Sequence, residues 1–189
     1  MSEKISVIKI LLVGDSAVGK TSIMSRYCEK NFPENYKTSL GVDFKIKEEK
    51  INSIKYKIKI LDTAGQERFR SVVNNYFHDA DGFFVVFDLN DKDTFNSLNS
   101  WITQIKSLVE DPKIIILANK SDLPHNVTED DINEFKMKNG IQIEKISAKT
   151  NKNIKESFIN LINLILGNPI KTGSFRLSKK HDKKKKKCC

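Results

Sequence analysis

Apolar residues recur along this chain with two different periods. From Ser6 to Val13 only Lys9 interrupts a continuous apolar run, as expected for a strand covered on both faces. Ile54, Tyr56, Ile58 and Ile60 alternate with Lys55, Lys57 and Lys59, the period of two that marks a strand with one wet face. Gly82 to Asp88, Lys113 to Asn119 and Ile141 to Ile146 are three further short apolar runs. Helical spacing falls between them, most clearly at Ile154, Phe158, Leu161, Ile162 and Ile165. Strands alternating with helices predict an α/β fold: a doubly wound, mostly parallel sheet flanked by helices, with ligands at the C-terminal ends of its strands. The pattern stops after Gly167-Asn168-Pro169, which predicts a domain over residues 1–167 and a flexible Lys-rich tail over 168–189.

Charge changes this picture only once it is located. The 189 residues carry a formal net charge of +9. Lys171, Arg176, Lys179, Lys180 and Lys183 to Lys187, set against Asp182, place +8 of it in the tail and leave the domain near neutral. A basic tail on a neutral domain suggests an anionic surface met by the tail, and argues against nucleic-acid binding. The three cysteines are as unevenly placed: Cys28 stands alone and Cys188 and Cys189 end the chain, so no disulfide is expected within the domain. No apolar run approaches the roughly 18 residues of a membrane span. The first residues lack a secretory signal pattern, and Ser2 stands where N-myristoylation needs glycine. His78, His125 and His181 are scattered, so no zinc site is expected, and Trp101 is expected to be a helix packing residue.

Directly after the first strand comes GDSAVGKT, Gly14 to Thr21, which fits G-x-x-x-x-G-K-[ST]. Its glycines allow backbone N–H groups to turn inward around phosphate oxygens. Lys20 is placed to reach the outer phosphates and the Thr21 hydroxyl to ligate Mg²⁺. Asn119-Lys120-Ser121-Asp122 closes another strand, and Ser147-Ala148-Lys149 follows a third. Asp122, as a carboxylate buried by such a site, would accept from N1–H and the exocyclic amine of guanine, a donor pair that adenine lacks.

Together GDSAVGKT, DTAGQE (Asp62 to Glu67), NKSD and SAK resemble the Ras superfamily of small GTPases over about residues 5–167. The resemblance implies a Mg²⁺-dependent phosphoryl-transfer site that hydrolyses GTP to GDP. It implies nucleotide contacts from Asp15, Ser16, Ala17, Val18, Gly19, Lys20, Thr21, Ser22, Phe32, Tyr36, Ser39, Gly65, Asn119, Lys120, Asp122, Ser147, Ala148 and Lys149. Thr21, Ser39 and Asp62 would hold Mg²⁺, with Asp62 acting through water, and Gln66 would orient the attacking water.

Leu40-Gly41-Val42-Asp43-Phe44, Arg68-Phe69-Arg70-Ser71 and the ending Cys188-Cys189 are similar to Rab proteins. That branch implies a regulator of vesicle traffic, lipidated on Cys188 and Cys189. It would be a monomer on the cytoplasmic face of an intracellular membrane, with a cytosolic extracted pool. Its expected partners are an exchange factor, a GTPase-activating protein, a GDP-dissociation inhibitor, an escort protein, a prenyltransferase and membrane effectors. Effectors would read a surface triad of Phe44, Leu61 and Tyr76. Leu61 stands where Rabs usually carry Trp, and Ser39 where they carry a switch threonine. A Ras-like signalling GTPase or a slowly hydrolysing nucleotide-gated scaffold are the competing readings; the presence of Gln66 argues against the scaffold.

Overall fold

The computed structural model describes residues 6–32, 42–63 and 76–168. In chain order the elements are β1 (Ser6–Val13), α1 (Lys20–Glu29), β2 (Val42–Ile51), β3 (Ile54–Thr63), β4 (Gly82–Asp88), α2 (Lys92–Asn96), α3 (Leu98–Leu108), β5 (Ile114–Asn119), α4 (Glu129–Asn139), β6 (Gln142–Lys145) and α5 (Ile154–Ile165). They build one six-stranded sheet of order β2-β3-β1-β4-β5-β6. Only β2 runs antiparallel; the other strands pair parallel to their neighbours. The expected mostly parallel, doubly wound sheet is therefore present.

The continuous apolar runs have the cause expected of them. All seven residues of β4 and all six of β5 are buried. Alternate side chains enter two separate cores. Ile10, Leu12, Ile58, Ile60, Phe84 and Val86 meet Ile23, Met24 and Tyr27 of α1 and Phe158, Leu161 and Ile162 of α5. Leu11, Val13, Phe83, Val85, Phe87 and Ile116 meet Leu98, Ile102 and Ile105 of α3 and Ile132 and Phe135 of α4. Tyr27 stacks on Phe158 at 3.7 Å between centroids, and Phe84 meets the same ring edge-on at 4.9 Å.

Three details depart from the pattern reading. Strand β2 is the ten-residue antiparallel edge of the sheet, joined to β3 by the two-residue turn Asn52-Ser53. Both turn residues have positive φ, 49° and 69°, which suits a hairpin twisted like its strands. Ile54, the first residue of the alternating series, is 54% exposed because it sits at that turn, beyond the reach of the core. Ile165 is only partly buried; it lies over Gly82, where an added Cβ would stand 2.7 Å from its Cδ1. That contact puts the end of α5 where β4 begins, at the opposite end of the sheet from the C-terminal ends of the parallel strands.

Candidate functional site

The sheet order reverses at β1: the chain runs from β1 to the edge strand β2, returns through β3 beside β1, and then crosses to β4 on the other side of β1. Ligands of open α/β sheets bind at such a switch point, outside the carboxyl ends of the strands. Here that place is filled by the loop from Gly14 to Gly19. Gly14 has φ 140°, and a Cβ on it would come within 2.2 Å of the Val86 carbonyl oxygen on β4. Gly19, φ 100°, would drive a Cβ to 2.5 Å from Asn119 Nδ2. Both glycines are thus required by close approach within the protein itself, besides any backbone cradle they form. Gly19 caps α1 with no side-chain hydrogen bond, so the first-turn N–H groups of α1 are not taken up by a capping side chain.

Lys20 is 6% exposed and donates from Nζ to the carbonyl oxygens of Gly14 (2.8 Å) and Asp15 (2.6 Å). Burial pushes its pKa down to about 8, against the opposing pull of the Asp62 and Asp15 carboxylates. Thr21 Oγ1 donates to Asp62 Oδ2 at 2.5 Å, joining the start of α1 to the carboxyl end of β3. Trp101 is more than the expected packing residue. Its ring packs against the α3–α4 core, and Nε1 donates to Asp15 Oδ1 at 2.8 Å, fixing the phosphate-type loop to α3.

A cleft of about 320 Å³ continues from this loop, lined by Ala17, Gly19, Ser22, Phe32, Asn119, Lys120, Asp122, Leu123, Ala148 and Lys149. Asn119, 2% exposed, ties three segments together. Its Nδ2 donates to the Val18 carbonyl (2.8 Å), and its Oδ1 accepts from the Ala148 N–H (3.2 Å). Ser147 Oγ donates to Asp122 Oδ1 at 2.6 Å and accepts from the Thr150 N–H. Lys120, with φ 60°, forms a 2.7 Å ion pair with Asp88 at the end of β4. Arg26 on α1 donates Nε to the Ala148 carbonyl (2.8 Å) and Nη2 to that of Lys149 (2.9 Å), and its guanidinium lies 5.8 Å from the centre of the Phe32 ring.

Many of the residues picked out by motif therefore converge: Ala17, Gly19, Ser22, Phe32, Asn119, Lys120, Asp122, Ala148 and Lys149 line the cleft, and hydrogen bonds tie Val18 and Ser147 to it and join Asp15, Lys20, Thr21 and Asp62 about the adjoining loop. Tyr36, Ser39, Gly65, Gln66, Cys188 and Cys189 lie outside the described residues. Two expectations need correcting. Asp122 is exposed at the mouth of the cleft, so only a bound base would desolvate it. Of the proposed surface triad, Phe44 is 54% exposed, Tyr76 is half-buried and Leu61 is 5% exposed, because a leucine at the end of β3 sinks into the α3 side of the core. Arg26, Asp88 and Trp101 carry no motif. Only the position of Asp88 at a strand's carboxyl end could have marked it in advance.

The sequence profile of the Ras family matches residues 9–167. Ras-related protein SEC4 of Saccharomyces cerevisiae is 39% identical over 162 residues, 85% of this chain and 75% of that protein. Ras-related protein Rab-3 of Caenorhabditis elegans is 36% identical over 160 residues, 83% of this chain and 73% of its own length. Ras-related protein Rab-2B of Dictyostelium discoideum is 39% identical over 153 residues, with 79% and 76% covered. The chain belongs to the Ras family of small GTPases and, within it, to the Rab branch. It binds guanine nucleotide, hydrolyses GTP and regulates vesicle traffic, which leaves the Ras-like signalling and scaffold readings unfavoured.

Proposed function

We propose that the groove holds the guanine nucleotide with its phosphates over Gly14 to Ser22 and its base between Asn119, Lys120, Asp122, Ser147, Ala148 and Phe32. The observation that carries this reading is the hydrogen-bonded set Asn119, Asp122 and Ser147. It is anchored to the Val18 carbonyl, so the base cleft and the phosphate loop move as one body. Asp122→Asn tests it. An amide presents a donor where guanine's exocyclic amine also donates, so affinity for GDP should fall about a hundredfold, while xanthosine diphosphate, with a carbonyl there, should gain. Unchanged preference in a competition assay would remove Asp122 from the base site.

The donor set fits Mg²⁺. Thr21 and Asp62 bring a hydroxyl and a carboxylate together beside the loop, and this ion takes one or two such protein oxygens along with substrate phosphates and water. When bound it would neutralise phosphate charge; Ser39 is assigned as a further ligand and Gln66 as the residue that orients water. The arginines are only Arg26, Arg68, Arg70 and Arg176, and none lies between Phe32 and Ser39 to act as a built-in finger. A GTPase-activating protein would then supply roughly 10³–10⁵ in rate. Gln66→Leu should abolish most of that stimulation in single-turnover assays, whereas fast hydrolysis by the unassisted chain would contradict it.

The same reading assigns lipid to Cys188 and Cys189, added by a prenyltransferase with an escort protein, and extraction to a GDP-dissociation inhibitor. An exchange factor would reload the site, and effectors would bind in the GTP form. The chain would act as a monomer on the cytoplasmic face of an intracellular membrane, with a cytosolic extracted pool. No helix among the described residues is long and apolar enough to cross a membrane, which fits peripheral attachment.

A further inference from the structure

The register of β1, β2 and β3 sorts their side chains into two faces, and the face turned away from α1 is unusual. Across it lie Phe44–Leu61–Leu11, then Ile46–Lys59–Lys9, then Glu48–Lys57–Val7, and last Lys50–Lys55 beside the Asn52-Ser53 turn. The upper row is apolar. The lower three hold five lysines and one acid, although the domain outside the tail is close to neutral overall. Lys50 and Lys55 are exposed on this face, and Ile54, at the hairpin tip but on the face of Tyr56 and Ile58, is 54% exposed. The tip lies where β3 begins, just beyond the level of Ser6 at the start of β1, and β4 begins further along, level with Ile60. Gly82 against Ile165 places the end of α5 at that same end of the sheet. The chain leaves the domain there, at Asn168, toward nine basic residues and the terminal Cys188-Cys189.

We propose that the β2–β3 hairpin, through Ile54 with Lys50, Lys55 and Lys57, is a second contact with an anionic lipid surface and orients the domain on its membrane. Charge fits the negative cytoplasmic leaflet, and the apolar tip suits the headgroup boundary. The exit point of the tail favours a membrane over an acidic protein, because an extended surface that holds a lipidated tail faces the end of the sheet where the hairpin lies. The proposal rests on the lipid-anchored reading, so its test supplies the anchor artificially.

The full chain, carrying Cys28→Ala, is coupled through its terminal cysteines to maleimide lipids in vesicles of phosphatidylcholine alone or with about 30% phosphatidylserine. Ile54→Trp then reports depth through quenching by brominated acyl chains, with Trp101, which bonds Asp15 at the nucleotide end, as the internal baseline. Quenching of the introduced indole should be several-fold greater on the anionic vesicles. Lys50→Glu with Lys55→Glu should remove the difference, and Lys138→Glu, exposed on α4, should not. No serine-lipid dependence in the tethered chain, or a dependence that survives the double reversal, would overturn the proposal and leave the lysine face to an acidic protein partner. Loss of natural lipidation would show separately, as failure of the untethered chain to reach membranes in cells.

Discussion

Lys20 keeps an ammonium in a buried place, where two carbonyl oxygens receive it and the Asp62 and Asp15 carboxylates only partly offset its desolvation, and that has a consequence for stability. With its pKa near 8 in the fold against an ordinary 10.5, the shift corresponds to about 3 kcal/mol against the charged form. The unfolded chain holds more protons between those two values. Nucleotide-free stability should therefore rise as pH climbs from about 8 to about 10.5 and be flat and lowest below 8. Thermal melts of the nucleotide-free chain across that range should show the slope, and Lys20→Met should remove it while raising stability at pH 7 and abolishing tight nucleotide binding. Phosphate oxygens restore the charged form, so binding at pH 8 should take up roughly half a proton, read by calorimetry in buffers of different ionisation enthalpy. Gly14 is exacting for a different reason. A Cβ at 2.2 Å from the Val86 carbonyl has a backbone atom in its way, not a yielding side chain. Gly14→Ala should lower stability by about 3 kcal/mol or more in denaturant titrations.

At the scale of elements, the groove is held by ties between parts of the chain that no local pattern connects. Arg26 reaches from α1 to the carbonyls of Ala148 and Lys149 and, from Nη1, to that of Lys30. A lysine ammonium, without the planar fork, could not satisfy all three. Arg26→Lys should speed release of a fluorescent GDP analogue by about tenfold, equivalent to one charge-assisted hydrogen bond. An unchanged release rate would mean that the loop after β6 holds itself. Contacts of this kind were not legible in the sequence, since Arg26 and Trp101 are ordinary helix residues until the fold brings Ala148 and Asp15 beside them. What was legible has a plain cause. Strands β1, β4 and β5 are buried on both faces and leave continuous apolar runs, and phosphate loops need glycines at fixed spacing. β2 left a weaker trace because it is an edge strand whose outer face mixes Phe44 and Ile46 with charge, and its inner lysines find partners on α1, Lys45 on Ser25 and Glu29 and Lys47 on the Tyr27 carbonyl. Asp122 was expected to be buried because the guanine argument supplies a base; the protein alone leaves it at the cleft mouth.

The whole molecule separates its chemistry by direction. The groups proposed to bind nucleotide gather at the carboxyl ends of the parallel strands, while the chain leaves the domain at the other end, so a membrane held by the tail would not obstruct the groove. Charge is separated too, with +8 of the net +9 in residues 168–189. With the proposed lipids on Cys188 and Cys189, the anchor would be a sum of unlike terms. One lipid chain gives only marginal binding, whereas two anchor stably. The run from Lys183 to Lys187 adds about 1 kcal/mol per lysine at an anionic leaflet. It is screened beyond about 8 Å at physiological salt. The lysine term should therefore yield to salt and the second lipid should not. Membranes carrying the wild-type chain should keep it through a high-salt wash. Cys188→Ser or Cys189→Ser should bind at low salt and be released by the wash. With both cysteines changed, the lysines alone should leave the chain in the cytosolic fraction. If the doubly substituted chain still pellets with membranes, lipid is not what anchors it, and attachment must come from the basic residues or from a bound protein.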